Sequence, residues 1–244
     1  MTKTGRIFFV ADLHLTDERP AATGRFFRFL DEDVAGADAL YILGDLFEAW
    51  TGDDHDEAVA HDTARRLKAL TAAGTPVYFL HGNRDFMLAR RYAAAAGMTL
   101  IDDPTRIDLY GVPTLLMHGD TLCTDDTAYQ RFRRRSRHPL TLALLKRLPK
   151  WLRRGLARQA RAGSETAKAT KPAAIMDVNA GEVARILRAQ QVRRLIHGHT
   201  HRPARHVHTV DGRECERWVL PDWYDHWGCV VCDASGCALK TEAL

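Results

Sequence analysis

The chain has 244 residues, 45% hydrophobic and 27% charged, enough for one large α/β domain with a sizeable core and too ordinary a balance for a disordered protein. No window supplies the roughly 18 uninterrupted apolar residues of a membrane span, and an N-terminus with Asp12 and His14 soon after a short apolar run lacks a signal-peptide shape, so the expected compartment is the cytoplasm. The net charge of +4 is unevenly spread: residues 131 to 171 hold fourteen Lys or Arg against one acid, Glu165, a net +13 that leaves −9 for the remainder.

Arg6 to Ala11 reads as a strand delivering Asp12-Leu13-His14 at its end, where a two-residue spacing lets carboxylate and imidazole point the same way from extended chain. Thr23 to Ala35 is predicted helical, with Phe26, Phe29, Leu30 and Val34 on one face and Thr23 as N-cap. A second strand runs from Ala39 through Tyr41-Ile42-Leu43 into Gly44-Asp45, presenting the carboxylate at its C-terminal edge, where open α/β sheets place ligands. The acidic loop Gly52-Asp53-Asp54-His55-Asp56-Glu57 reads as a solvated helix entry, and the helix from Ala58 to Ala73 is closed by Gly74. The third strand, Pro76 to Leu80, ends in His81-Gly82-Asn83-Arg84-Asp85. A helix over Phe86 to Ala96 leads to short strands at Thr99 to Ile101 and Arg106 to Leu109, a Tyr110-Gly111 turn, and a strand from Thr114 to Met117 ending in His118-Gly119-Asp120.

Beyond Asp125 the pattern turns helical, over Ala128 to Arg137, Leu140 to Leu148, a segment after Pro149, and Val178 to Gln190. Residues 125–176 are expected to form a basic helical insertion over the site, leaving 1–124 and 177–244 as the core. Val192 to Ile196 returns to strand and ends in His197-Gly198-His199-Thr200-His201, and hairpins follow with turns at Asp211-Gly212 and Ala234-Ser235-Gly236. Five cysteines at irregular positions argue against a disulfide framework, and Cys229 and Cys232 read as thiols within a strand.

A single Asp after Gly is ordinary turn chemistry, and a lone His is more often structural than a ligand. Five consecutive strands ending in Asp12/His14, Asp45, Asn83, His118 and His199/His201 are harder to explain that way. Parallel strands of one sheet bring their C-terminal ends together, so these seven side chains can meet around one cleft. Seven N and O donors exceed one tetrahedral zinc but suit two five- or six-coordinate ions sharing a carboxylate, and four imidazoles disfavour a purely oxygen-coordinated Mg²⁺ or Ca²⁺. Two such ions about 3.5 to 4 Å apart are the recurrent solution for phosphoester hydrolysis.

Asp12-x-His14, Gly44-Asp45, Gly82-Asn83-x-Asp85, His118-Gly119-Asp120 and Gly198-His199-x-His201 resemble the five blocks of the calcineurin-like metallophosphoesterases. The resemblance implies an α/β double-sheet sandwich with a helical lid, one metal held by Asp12, His14, Asp45 and His201, and the other by Asp45, Asn83, His118 and His199. His197 falls outside the motif. Many relatives place His where this chain has Arg84, and such a His serves a leaving group that needs a proton. A phosphate monoester does not, its second pKa being about 6, so Arg84 suggests pyrophosphate cleavage by charge stabilisation. The longer strings Tyr41 to Trp50, His81 to Phe86, Met117 to Asp126 and Ile175 to Asn179 closely resemble the bacterial UDP-2,3-diacylglucosamine pyrophosphatases of lipid A synthesis. That likeness implies cleavage of UDP-2,3-diacylglucosamine to UMP and 2,3-diacylglucosamine 1-phosphate by metal-activated water attacking the α-phosphorus. It further implies two divalent ions, Mn²⁺ for preference, and a peripheral position on the inner face of the cell inner membrane. Asp45, Arg84 and His199 are the implied catalytic residues, and Asn83, Arg84, Asp126, Ser164, Lys171 and His199 the implied substrate contacts. Lys168 stands where relatives often have Asn, and Tyr129 and Arg161 complete the candidate contacts.

The basic segment interleaves its arginines with Leu140, Leu142, Leu144, Leu145, Leu148, Trp151, Leu152 and Leu156, which suits an acyl-chain pocket and an anionic membrane surface. A nucleic-acid groove also gathers positive charge, but single-strand binding favours interleaved aromatics, so no nucleic-acid partner is expected, and no obligate protein partner is evident. The alternatives are a nucleotide or nucleic-acid phosphodiesterase of the same fold and a non-catalytic lipid-binding module.

Overall fold

The computed structural model describes the backbone of residues 5–170 and 176–244, and the side chains of all of these except 164–170. The apolar run Ile7–Val10 forms β1 and is buried on both faces: Phe8 and Val10 join a cluster with Phe26, Phe29 and Leu67, while Phe9 joins one with Leu116, Ile196 and Trp218. Strands β2 (Ala39–Leu43), β3 (Val77–Leu80) and β4 (Met98–Leu100) add in parallel on one side of β1. A second sheet orders β5 (Thr105–Leu109), β6 (Val112–Met117), β7 (Arg194–His197), β9 (Arg213–Val219) and β8 (Ala204–Val210), with the trio β6, β7 and β9 mutually parallel. The hairpin of β10 (His226–Asp233) and β11 (Gly236–Ala243) closes the first sheet on the other side of β1.

Helices cover the outer faces. Helices α1 (Pro20–Arg28), α2 (Ala58–Ala72) and α3 (Arg90–Ala96) pack on the first sheet through Phe26, Leu67 and Tyr92. Three helices, α4 (Thr127–Ser136), α5 (Pro139–Arg147) and α6 (Lys150–Thr170), follow β6 in sequence. Helix α7 (Ala180–Gln190) lies on the second sheet through Val183, Ile186 and Leu187.

The five strands that end in polar residues do not share one sheet. β1, β2 and β3 belong to the first and β6 and β7 to the second, so their ends meet along an edge common to both. Helix α1 starts at Pro20 rather than at a Thr23 cap, because proline is pre-set for a first helical position, and its end widens into a π-helical turn over Phe29–Asp33. Helix α3 starts four residues later than Phe86, where Asp53 accepts from the backbone N–H groups of Ala89 (2.8 Å) and Tyr92 (3.0 Å).

Asp53 thus belongs to a loop that is more than a solvated helix entry, with Asp54 and Asp56 exposed yet paired. Asp54 pairs with Arg153, and Asp56 takes Lys150 (2.7 Å) and Arg154 (2.6 Å), so the acidic loop is where the negative core receives the basic α6. Arg153 is buried there and also donates to the carbonyls of Thr51 and Leu148.

The cysteine reading needs correction too. Cys229 is a buried thiol, but Cys232 is disulfide-bonded to Cys237, because the β10–β11 hairpin sets these two residues directly opposite each other. No helix among the described residues is long and apolar enough to cross a membrane.

Candidate metal centre

The backbone at the shared edge is unusual. Asp12 (φ 53°), His14 (48°), Asp45 (53°), His199 (71°) and His201 (54°) all take the left-handed region, which costs non-glycine residues about 1–2 kcal/mol each. Asp12 and His14 therefore reach the same side by two left-handed turns, not from extended chain. Two glycines allow the loops to close: a Cβ on Gly82 would collide with the Asp45 carboxylate, and one on Gly198 with that of Asp12.

The donors gather in two neighbouring groups, Asp12 with His14 and His201 and Asp12 with Asp45 and His118, and the Asp45 carboxylate faces a histidine of each. Asp12 Oδ1 lies 3.5 Å from His201 Nε2 and 4.0 Å from His14 Nε2, which is 3.8 Å from Asp45 Oδ2. The other Asp45 oxygen is 3.9 Å from His118 Nε2, and Asn83 Oδ1 sits 3.0 Å from that nitrogen and 2.9 Å from His199 Nδ1. Asp12 Oδ1 is buried without a hydrogen-bond partner, at separations too long for direct bonding but suited to donors around a cation.

Electrostatics support the same conclusion. Burial, with the charges of Asp85 and Asp12 added, pushes Asp45 up to about 7 against the pull of His118. Asp12 resists its burial and stays below the usual carboxylate range through the close approach and charge of His201, with the charges of His118 and His14. His118, despite burial, is drawn up to about 9 by Asp45, Asp12 and Asp120, whereas burial and the neighbouring His118 pull His199 down to about 3. Crowded buried carboxylates beside imidazoles of opposite tendency form a site that a divalent cation would neutralise.

An outer layer fixes the donors. His118 Nδ1 pairs with the Leu43 carbonyl at 2.9 Å, leaving Nε2 for coordination. His14 Nδ1 faces Glu48 Oε2 at 3.4 Å and His201 Nδ1 faces Asp222 at 3.8 Å. Asp85, fully buried, accepts from the N–H groups of Leu46 (2.7 Å) and Gly82 (2.8 Å) and so ties the β2 and β3 loops together.

The other candidates are placed less uniformly. The Arg84 N–H donates to Asp45 Oδ1 at 2.8 Å, while its guanidinium makes no ion pair among the described residues. Tyr129 packs 5.8 Å from the His199 ring and donates its hydroxyl to Asp120 at 2.8 Å. Asp126 caps α4 by accepting from the Tyr129 N–H, and Arg161 meets Glu48 at 3.3 Å. Ser164 and Lys168 lie on α6 with side chains outside the described set, and Lys171 lies outside the described residues. His197 is buried apart from the donors, between the Gly198 carbonyl (2.8 Å) and Arg217 (3.2 Å).

Sequence reasoning missed Asp120, Glu48, Asp222 and Tyr224. Asp120 is fully buried and receives Tyr129, Arg133 (2.7 Å) and Arg137 (3.0 Å), fastening α4 to the core. Its signal was present in His118-Gly119-Asp120, where only the histidine was given a task.

Comparison with known proteins extends this geometry to kinship. The family model for calcineurin-like phosphoesterases matches residues 5–203. The UDP-2,3-diacylglucosamine hydrolase of Pseudomonas aeruginosa (strain UCBPP-PA14) is 49% identical over 230 residues, covering 94% of this chain and 96% of its own. That of Cellvibrio japonicus (strain Ueda107) is 50% identical over 232 residues, covering 95% and 97%. A solved archaeal phosphodiesterase aligns with a TM-score of 0.48 and 11% identity over 98% of this chain and 99% of its own. A matched family model across most of the chain, with relatives at half identity over nearly their full lengths, places the protein in the calcineurin-like phosphoesterase family.

Proposed function

We propose that the protein hydrolyses the pyrophosphate bond of UDP-2,3-diacylglucosamine, giving UMP and 2,3-diacylglucosamine 1-phosphate. The observation that carries this reading is the Asp45 carboxylate facing His14 at 3.8 Å and His118 at 3.9 Å, in a chain whose near-full-length relatives are named for that hydrolysis. Asp12, His14, Asp45 and His201 would hold one divalent ion, and Asp45, Asn83, His118 and His199 the other. Imidazole, carboxylate and carboxamide donors together suit Mn²⁺. Bound there, the ions supply Lewis acidity toward phosphoryl oxygens and activate water.

The protein's own groups do the rest. Arg84, beside Asp45 and without an internal counter-ion among the described residues, neutralises charge developing on the α-phosphoryl oxygens. His199, held neutral by burial, donates or accepts at the same phosphate without adding charge. The oxygen of water becomes bonded to the α-phosphorus, the bond from that phosphorus to the bridging oxygen breaks, and the water's protons pass to solvent, since both product monoesters have a second pKa of about 6. The departing 1-phosphate needs no proton donor near neutral pH, since its second pKa is about 6. Asn83, Asp126, Tyr129, Arg161, Ser164, Lys168 and Lys171 are the further contacts assigned to the substrate.

Residues 125–176 act as a lid and membrane-facing insertion on the 1–124 and 177–244 core. Support comes from Leu140, Leu144 and Trp151, which are 75%, 61% and 73% exposed among arginines. Turnover in ¹⁸O-water tests the chemistry: label in UMP is expected, and label in the lipid phosphate would contradict attack at the α-phosphorus. Hydrolysis of dinucleotides or single-stranded DNA in preference to the lipid nucleotide would transfer the assignment to a nucleic-acid phosphodiesterase. Sedimentation with anionic vesicles, weakened by salt and by Trp151→Ala, tests the membrane surface.

A further inference from the structure

Glu48 lies outside the seven donors yet meets a donor, an aromatic beside it and the insertion at once. It is buried at the end of the β2 loop, where one carboxylate oxygen, Oε2, accepts from the Tyr224 hydroxyl at 3.0 Å and faces His14 Nδ1 at 3.4 Å. The other oxygen, Oε1, faces Arg161 Nε on α6 at 3.3 Å. Tyr224 is itself fixed: its ring stacks on His14 with centroids 5.0 Å apart, and the Arg19 guanidinium lies over the same ring, 4.4 Å from its centroid. A carboxylate facing Nδ1 favours the tautomer with the proton on that nitrogen, which would leave the Nε2 lone pair directed toward Asp12 and Asp45.

We propose that Glu48 is a positioning residue shared by the metal centre and the insertion: it orients His14 through one oxygen and latches α6 through the other, so that docking of the insertion and cation affinity at the His14 group are linked. This rests on the two-metal reading above. By reciprocity, whatever factor the docked α6 adds to cation affinity, the bound cation adds to docking. Arg161 then acts on the metal centre through Glu48, and Tyr224 supports the arrangement by holding Oε2 in place. Contact with substrate through Arg161 would draw on the same pair, because a phosphate or sugar competing for the guanidinium releases Glu48 Oε1.

The test is titration of the purified full-length protein with Mn²⁺, followed by the electron paramagnetic resonance of free Mn²⁺, alongside hydrogen exchange of α6. Wild type is expected to bind two ions. Glu48→Gln keeps the side chain's size and should raise one of the two dissociation constants about 10–100-fold, the range for outer partners of a ligating histidine. Arg161→Gln, which leaves the His14 contact intact, should raise the same constant about fivefold and speed exchange in α6. The double variant should be no worse than Glu48→Gln alone, because the two changes break one connected unit. If Glu48→Gln does not fold, Tyr224→Phe removes a single hydrogen bond from Oε2 and should raise that same constant measurably. Two unchanged constants in the Glu48 variant, or in Tyr224→Phe where it serves, overturn the positioning role. Unchanged Mn²⁺ binding in Arg161→Gln, or effects that simply add, overturn the linkage. A wild type that binds no Mn²⁺ instead overturns the two-metal reading.

Discussion

Asp45 is fully enclosed, close to Asp85 and Asp12, and pushed up to about 7, by burial first and by those charges second. Its carboxylate faces both donor groups, so Asp45→Asn should cut Mn²⁺ stoichiometry from two to one and lower turnover by more than the about 100-fold typical of losing an outer partner. Titration by metal analysis after gel filtration checks it, and full stoichiometry would exclude the bridge. Arg84 permits a sharper comparison. Its guanidinium makes no ion pair among the described residues, so Arg84→Ala should reduce kcat by about 10²–10³ with little change in melting temperature, and Arg84→Lys should recover only part of that loss. Equal losses in kcat and stability would point to a structural role. The seven donors were legible because each ends an apolar run beside a glycine or a short loop. The outer layer was not: Glu48 and Tyr224 are separated by 176 residues, and nothing in either local pattern shows that they meet over His14. Left-handed backbone at Asp12 and His14 was equally hidden, since it arises from the loops' mutual hydrogen bonds, Asp12 N–H to the Gly44 carbonyl and His14 N–H to that of Asp45.

Among the elements, the helices showed most clearly where local signals mislead. Thr23 is a good cap by type, but Pro20 already fixes the first turn, and α3 waits for Asp53 from a different loop. That acidic loop illustrates how charge segregated along a chain can be reunited in space. Asp56, fully exposed, is lowered to about 2 from an ordinary 3.8 by Lys150 and Arg154, and Asp54 is lowered by Arg153. Groups whose folded value is depressed favour the docked state above the ordinary value and lose that preference as pH falls through the folded one. Docking of α6 should therefore be constant from neutral pH down to about pH 4.5 and weaken between 3.8 and about 2, as hydrogen exchange in α6 would register. Arg153→Ala should remove buried charge-assisted hydrogen bonds and cost about 2–4 kcal/mol, with faster proteolysis between α5 and α6 at neutral pH. Unaltered proteolysis would show that the remaining ion pairs to Asp56 and Asp120 and the apolar contacts of Leu142 and Leu145 hold the insertion without Arg153.

At the scale of the molecule, continuous apolar strands revealed the buried sheets but not their number. Phe8 and Phe9 are both fully buried, which a single covered sheet explains as well as two packed ones; only pairing partners distinguish them. Because ions bind the folded arrangement in preference to the open chain, saturating Mn²⁺ at about 100 times its dissociation constant should add about 2.7 kcal/mol per site, and chelation should lower the melting temperature by at least about 5 °C. No shift with chelator would argue against resident ions. The two donor groups also take residues from the ends of β1, β2 and β3 and from those of β6 and β7, which lie in different sheets. In polymer terms such ions would be reversible crosslinks: they would pin residues 12, 14, 45, 83, 118, 199 and 201 and close a succession of long loops whose entropy is otherwise regained on opening. Cutting the crosslinks should release the molecule unevenly. Amides of the loops at 12–15, 45–48, 82–85 and 198–201 would exchange first on chelation, while β10 and β11, stitched by eight residue pairs and a disulfide far along the sheet from those loops, would hold their protons longest.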